Sequence, residues 1–252
     1  MRDLAQTLRL AAPIIQAPMA GSQGYALAAA VCNAGGLGSI PAAMHTPDSL
    51  RAEVLALREL TDKPFNINFF AHQPPADNPA VLATWHQVLA PYYRELGLDP
   101  EQIPTGAGRA PFSAAFADVI EALNPAVVSF HFGLPDNALL QRVKNSGAQI
   151  WSSATTLNEA LWLEQRGVDA IIAQGLEAGG HRGMFLTKDL GEQIPLDVLL
   201  GQIVGKVHLP VIAAGGIATA QDIAHAKQLG ADAVQIGTAY LCCPEATTSA
   251  IH

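Results

Sequence analysis

The sequence predicts an α/β fold, a (β/α)8 barrel forming a single main domain over residues 1–252. Three observations predict it. Short apolar runs of β type alternate along the whole chain with longer helical patterns. The runs are mostly apolar throughout, as strands in a sheet buried on both faces must be. They number eight, and eight parallel strands joined by right-handed helical crossovers close into a barrel. A doubly wound sheet is the competing reading, but its dinucleotide fingerprint is missing. "GAGRAP" at 106–111 lacks the third glycine and follows no strand.

The first strand is "PIIQAPM" at 13–19, followed by an alanine-rich helix from Tyr25 to Asn33 and a stop at Gly35-Gly36. "LGSI" at 37–40 is the second. The helix after it opens at Thr46-Pro47, where a proline costs nothing because a first-turn N–H has no intrahelical partner. In the third strand, "FNINFF" at 65–70, Asn66 and Asn68 alternate with apolar residues and share one face. A helical excursion then occupies about 72–124, with patterns in "NPAVLATWHQVLAPYYRELG" and "FSAAFADVIEAL". Strands four to eight are "AVVSFHFG", "AQIWSSA", "DAIIAQG", "PVIAAGG" and "AVQIGTAYL", and the last helix is incomplete.

Barrel chemistry gathers at the carboxyl ends of the strands. Met19, Asn68, His131, Gln174-Gly175, Gly215-Gly216 and Gly237-Thr238 all fall there. The segment from "PVIAAGG" to "QIGT" reads as a phosphate cradle: bare glycines after two adjacent strands, a helix starting near Thr219, and the Thr238 hydroxyl. The alternative is that these glycines only make tight turns. The Asn66/Asn68 face needs a polar partner, which a bound heterocycle would supply. His131 and His181 are the two histidines that map to the rim, whereas His45, His72, His86, His208, His225 and His252 fall in helices, loops or the terminus. Histidine is the side chain that most readily exchanges a proton near neutral pH. Arg182 reads as a solvated loop charge or an anion clamp, Glu177 as a backbone partner or a counter-charge to Arg182, and Cys242-Cys243 as packing.

Composition excludes other classes. With 14 Lys+Arg against 22 Asp+Glu, a net charge of -8 and no basic block, neither nucleic acid nor an anionic membrane surface is an expected partner. Three cysteines without C-x-x-C spacing suggest neither a disulfide framework nor a zinc site, and no metal is expected. That cysteine usage fits a reducing cytoplasm, the expected location; the charged N-terminus lacks the form of a signal peptide, and no apolar run is long enough to span a bilayer.

The segments "PIIQAPMAG", "NAGGLGS", "PFNINFF", "VVSFHFGLP", "QGLEAGGHRG" and "AAGGIATAQDIAHAKQLGADAVQIGTAYL" together resemble the nitronate monooxygenases, flavin enzymes formerly called 2-nitropropane dioxygenases. Many FMN barrels share the glycine-rich seventh and eighth strand segments. The pairing of "SFHFG" with "EAGGHRG" is more specific and points to the class I branch. The resemblance implies non-covalent FMN across the rim. Its phosphate would lie against Gly215, Gly216 and the turn of Gln235, Ile236, Gly237 and Thr238. Asn68, Gln174 and Gly179 would contact the ring or ribityl chain, and Met19 would approach through its backbone. His181 matches the family's active-site histidine, and His131 lines the same pocket. The implied reaction is oxidation of an alkyl nitronate, such as propionate 3-nitronate, by O2 to a carbonyl compound and nitrite through a flavosemiquinone. Family members continue past "CPEATTSAIH", where this chain stops one or two turns into the expected eighth helix, so the C-terminal part of the family pattern is absent. An FMN-dependent NAD(P)H reductase of quinones or enoyl thioesters is the alternative enzyme reading, and a non-catalytic flavin-binding scaffold is a third. A homo-oligomer is a further expectation.

Overall fold

The computed structural model describes residues 4–74, 76–100, 102 and 109–249. Eight strands form one sheet: β1 (Ile14–Gln16), β2 (Gly38–Pro41), β3 (Phe65–Phe70), β4 (Val127–His131), β5 (Gln149–Ala154), β6 (Ala170–Gln174), β7 (Val211–Ala214) and β8 (Ala233–Ile236). Their order is β1-β8-β7-β6-β5-β4-β3-β2, every pair parallel. A parallel bridge between Ile15 and Leu37 joins the two ends, with Leu37 N–H donating to Ile14 O and Gln16 N–H to Leu37 O, each at 2.9 Å. The sheet therefore closes into the predicted barrel.

Strand alternation divides the core. Ile67, Phe69, Val128, Phe130, Ile150 and Ile171 pack outward against the helices. Ile15, Leu37, Val127, Trp151, Ala170, Ile172 and Ile212 fill the interior, together with Leu4 and Leu8 of α1 (Leu4–Leu8). This short helix plugs the floor of the barrel, and the residue pattern does not announce it. Above the apolar floor the inward positions turn polar. Asn66 Nδ2 donates to Ser39 Oγ at 3.0 Å, and Asn68 Nδ2 donates to Ser129 Oγ at 2.9 Å.

Outside the strands run α2 (Tyr25–Asn33), α3 (Pro47–Leu60), α4 (Pro79–Glu95), α5 (Ala114–Leu123), α6 (Asn137–Asn145), α7 (Leu157–Gln165), α8 (Leu196–Ile203) and α9 (Ala220–Gln228). Thr46 and Thr219 close capping boxes with Ser49 and Asp222, which fixes where α3 and α9 begin. Arg142 of α6 holds α5 through Asp118 and Glu121, both at 2.6 Å. α4 is unlike the rest: it buries none of its residues.

Several boundaries differ from expectation. β1 ends at Gln16, so Met19 lies in the following loop. Gly215 and Gly216 follow β7, while Gly237 follows β8 and Thr238 opens a 3-10 turn, Thr238–Cys242. Gly215 (φ 128°) and Gly216 (φ 68°) leave the extended backbone and turn the chain. After that turn, 243–249 are not helical, so the expected first turns of an eighth helix are not formed there. Cys242 is exposed and has no packing role. Gly106, Ala107 and Gly108 of "GAGRAP", residues 101 and 103–105 of the excursion, and His252 lie outside the described residues.

Candidate active site at the barrel rim

The loop after β6 carries "QGLEAGGHRG", and side chains from two strands, β4 and β6, fix its backbone. The carbonyl of His181 accepts from Gln174 Nε2 at 2.9 Å and from His131 Nε2 at 3.1 Å. Gln174 Oε1 accepts from Gly183 N–H at 2.6 Å. His131 Nδ1 meets Ser153 Oγ at 2.9 Å. Since Nε2 donates to a carbonyl, the neutral ring must accept at Nδ1 from the Ser153 hydroxyl. Burial pulls the His131 pKa down to about 4, opposed by its bond to the His181 carbonyl and reinforced by the charges of His181 and Arg182. His131 is thus a neutral donor near pH 7.

Gly183 has a packing reason. A Cβ there would sit 2.7 Å from His131 Cε1 and 3.1 Å from Ser153 Cβ. Arg182 is not a free, solvated loop charge. Its guanidinium donates to the carbonyls of Gly175, at 2.8 Å, and Ala178, stapling the loop from within. Glu177 accepts the N–H of Leu196 at 2.9 Å, at the start of α8, as its backbone-partner reading expects.

The His181 imidazole itself is exposed. It stands edge-on to Phe70 (5.4 Å) and Phe132 (5.9 Å). Phe132 has φ 68°, in the left-handed region. For a non-glycine residue this costs on the order of 1 kcal/mol. The conformation places its ring 4.6 Å from His131, 5.1 Å from Phe70 and 6.0 Å from His72. His72, one of the six histidines not expected at the rim, therefore belongs to the rim cluster, and its Nδ1 is buried without a partner. No spacing signal revealed Phe132 or His72, because their approach depends on the end of β4 turning back over β3.

The predicted cofactor residues converge on the same rim. A Cβ on Gly237 would lie 3.7 Å from Met19 Sδ, and one on Gly179 would lie 3.6 Å from Thr238 Oγ1, so the loops after β1, β6 and β8 meet. Gly215 (φ 128°) and Gly216 (φ 68°) pack beneath Ala178 and Glu177, and a Cβ added to Gly215 would stand only 2.9 Å from the Ala178 amide. Loop packing, with a Cβ on Gly216 at 3.2 Å from Glu177 Cβ, is thus a reason for both glycines beside the cradle reading. Asn68 is buried and turned inward. Gln235 faces inward between Val234 and Ile236, which pack outward, and its Oε1 is buried without a partner, as is Asn66 Oδ1. Orphaned acceptors beneath a polar rim fit a bound group that donates hydrogen bonds. Among the described residues there is no cluster of three His, Cys, Asp or Glu for a metal ion, and no helix is long and apolar enough to cross a membrane.

The family model for nitronate monooxygenases matches residues 2–252. The chain belongs to that family of enzymes. It is 46% identical over 248 residues to the nitronate monooxygenase of Paraburkholderia phytofirmans, covering 97% of this chain and 67% of the relative. To that of Pseudomonas aeruginosa it is 41% identical, covering 95% and 69%. Among solved structures, the nitroalkane oxidase of Streptomyces ansochromogenes superposes with a TM-score of 0.84 at 39% identity, covering 97% of this chain and 70% of that one. The barrel is the architecture of that relative.

Proposed function

We propose that this chain binds FMN across the carboxyl rim of the barrel and uses O2 to oxidise an alkyl nitronate, propionate 3-nitronate being one example, to a carbonyl compound and nitrite. The carrying observation is His181, a solvent-facing imidazole on an immobilised backbone beside an aromatic wall. Family membership, shared with relatives named for the same reaction, supports the substrate class. The orphaned acceptors Gln235 Oε1 and Asn66 Oδ1 support a ligand that donates hydrogen bonds, as a flavin does from its single ring N–H and its ribityl hydroxyls.

Gly215, Gly216 and Gln235, Ile236, Gly237 and Thr238 would hold the phosphate, and Asn68, Gln174, Gly179 and the backbone at Met19 the remainder. Bound flavin would supply the electron acceptance that the reaction needs. The protein's residues do the rest. Protonated, His181 attracts the nitronate anion; neutral, it takes the α-proton when the nitroalkane is the substrate. His131 stays neutral and holds the His181 carbonyl. Phe70 and Phe132 exclude water from one side of the substrate and leave the charge on His181 less screened.

The test is nitrite release from ethylnitronate by FMN-loaded protein in air, with an anaerobic arm containing NAD(P)H. His181→Asn should keep FMN and lose about 100-fold in turnover. Unchanged turnover on both nitronate and nitroalkane refutes the assigned role. Rapid bleaching by NAD(P)H without nitronate oxidation would establish the reductase reading instead, and inability to take up FMN would overturn both.

A further inference from the structure

We propose that Glu159 is a positioning residue for His181, fixing from the neighbouring βα unit where the histidine's loop lies; this rests on the reading of His181 given above. Glu159 sits in the first turn of α7 and is fully buried. "TLNE" at 156–159 has the pattern of a capping box, in which the glutamate would reach back to its own cap residue. Only half of that box forms. Thr156 Oγ1 accepts from Glu159 N–H at 3.2 Å, but the carboxylate is diverted. Its Oε2 accepts from Thr155 N–H at 2.7 Å and Thr155 Oγ1 at 2.8 Å. Its Oε1 crosses to the His181 loop and accepts from Phe185 N–H at 2.6 Å and Leu186 N–H at 3.1 Å.

Four donors therefore surround a group that, ionised, only accepts. Among the described residues it forms no ion pair with lysine or arginine. Thr155 Oγ1 also accepts from Gln193 Nε2 at 3.1 Å, so the end of the loop is tied to the same point. Gln174 and His131 hold residues 181 and 183 from the barrel side, and Glu159 holds 185 and 186 from the helix side. The histidine lies on the short span governed by these two anchors. Moving either anchor moves the imidazole relative to Phe70 and Phe132.

Glu159→Gln keeps the shape but sets an NH2 group against amide donors on one side. We expect turnover to fall about 10-fold, the scale of a small misplacement of a reacting group, with faster hydrogen exchange at 181–187. In a His181→Asn background the same change should cost less than about 2-fold, since residues acting through one another are non-additive. Val143→Ala, a buried change in α6 that bonds to no part of the loop, should lower Tm without altering either readout. If Glu159→Gln does not fold, Glu159→Asp keeps the charge while shortening its reach and takes its place. An equal loss in both backgrounds, or unchanged turnover and exchange with only a lower Tm, overturns the proposal and leaves a structural carboxylate. If His181→Asn alone has no effect, the proposed function fails and this inference with it, even where the exchange at 181–187 still responds.

Discussion

The loop after β6 and the helical excursion after β3 invert the usual expectation about order. The loop has almost no regular structure and many glycines, yet nearly every turn of it is fixed by a side chain: Gln174, His131, Arg182, Glu177 and Glu159 all bond to backbone within or beside it. The excursion contains α4, five turns of regular helix with its own Asn78 cap, and none of its residues is buried against the barrel. Val81, Leu82, Trp85, Val88, Leu89 and Tyr92 repeat at helical spacing along one stripe, and all are exposed. Secondary structure satisfies the backbone of α4 internally but fixes nothing else. The glycine loop, unable to satisfy its own backbone, is ordered by borrowing partners from two strands and a helix.

That contrast can be broken at measurable points. The largest effect beyond His181 and Glu159 should come from Gly183→Ala, whose Cβ would strike His131 and Ser153. Overpacking of this kind costs about 1–3 kcal/mol, and because it displaces the ring that holds His181, turnover should fall together with Tm. Loss of Tm alone would show that the loop tolerates movement at this anchor.

A second prediction concerns pH. The folded pKa of His131, about 4, lies below its ordinary 6.5, so between these values the unfolded chain binds the extra proton. Stability from this group is therefore complete above 6.5 and is lost as pH falls toward 4, by about 1–3 kcal/mol since the residue is only half-buried. Thermal melts across that window should show the drop, and His131→Asn should flatten it. A slope unchanged in the variant would mean that other groups carry the acid sensitivity.

The smallest effect belongs to α4. Leu82→Gln with Trp85→Gln should shift stability by no more than about 0.5 kcal/mol, because neither side chain is buried. A large loss in denaturant titration would show that the stripe is covered in solution.

Much of this was legible from residues alone, and unevenly so. "FNINFF" marked both bounds of β3 and the inward asparagine face, since alternation along a strand is local. Thr46-Pro47 and Thr219 marked helix starts because a cap's partner lies three residues away. The rim position of His131, Gln174 and His181 followed from strand ends once a barrel was assumed. Leu4–Leu8 carried no such signal, since a five-residue plug is amphipathic only relative to the floor it fills. Arg182 was undecidable because its acceptors are carbonyls, which every residue has. For Glu159 the cap of its own helix competes with two distant amides, and only their position decides between them.

The eight-strand barrel, the family and the gathering of His131, His181 and the glycines at one rim are written in the residues themselves, because periodicity and capping act within a few positions. Packing in three dimensions was needed to make His131 a neutral donor and Arg182 a staple, to bring His72 and Phe132 to the rim and to leave α4 apart. Burial, tautomer and the choice among equivalent carbonyl partners depend on which segments come within about 3 Å of one another, a distance set by the packing of the whole barrel.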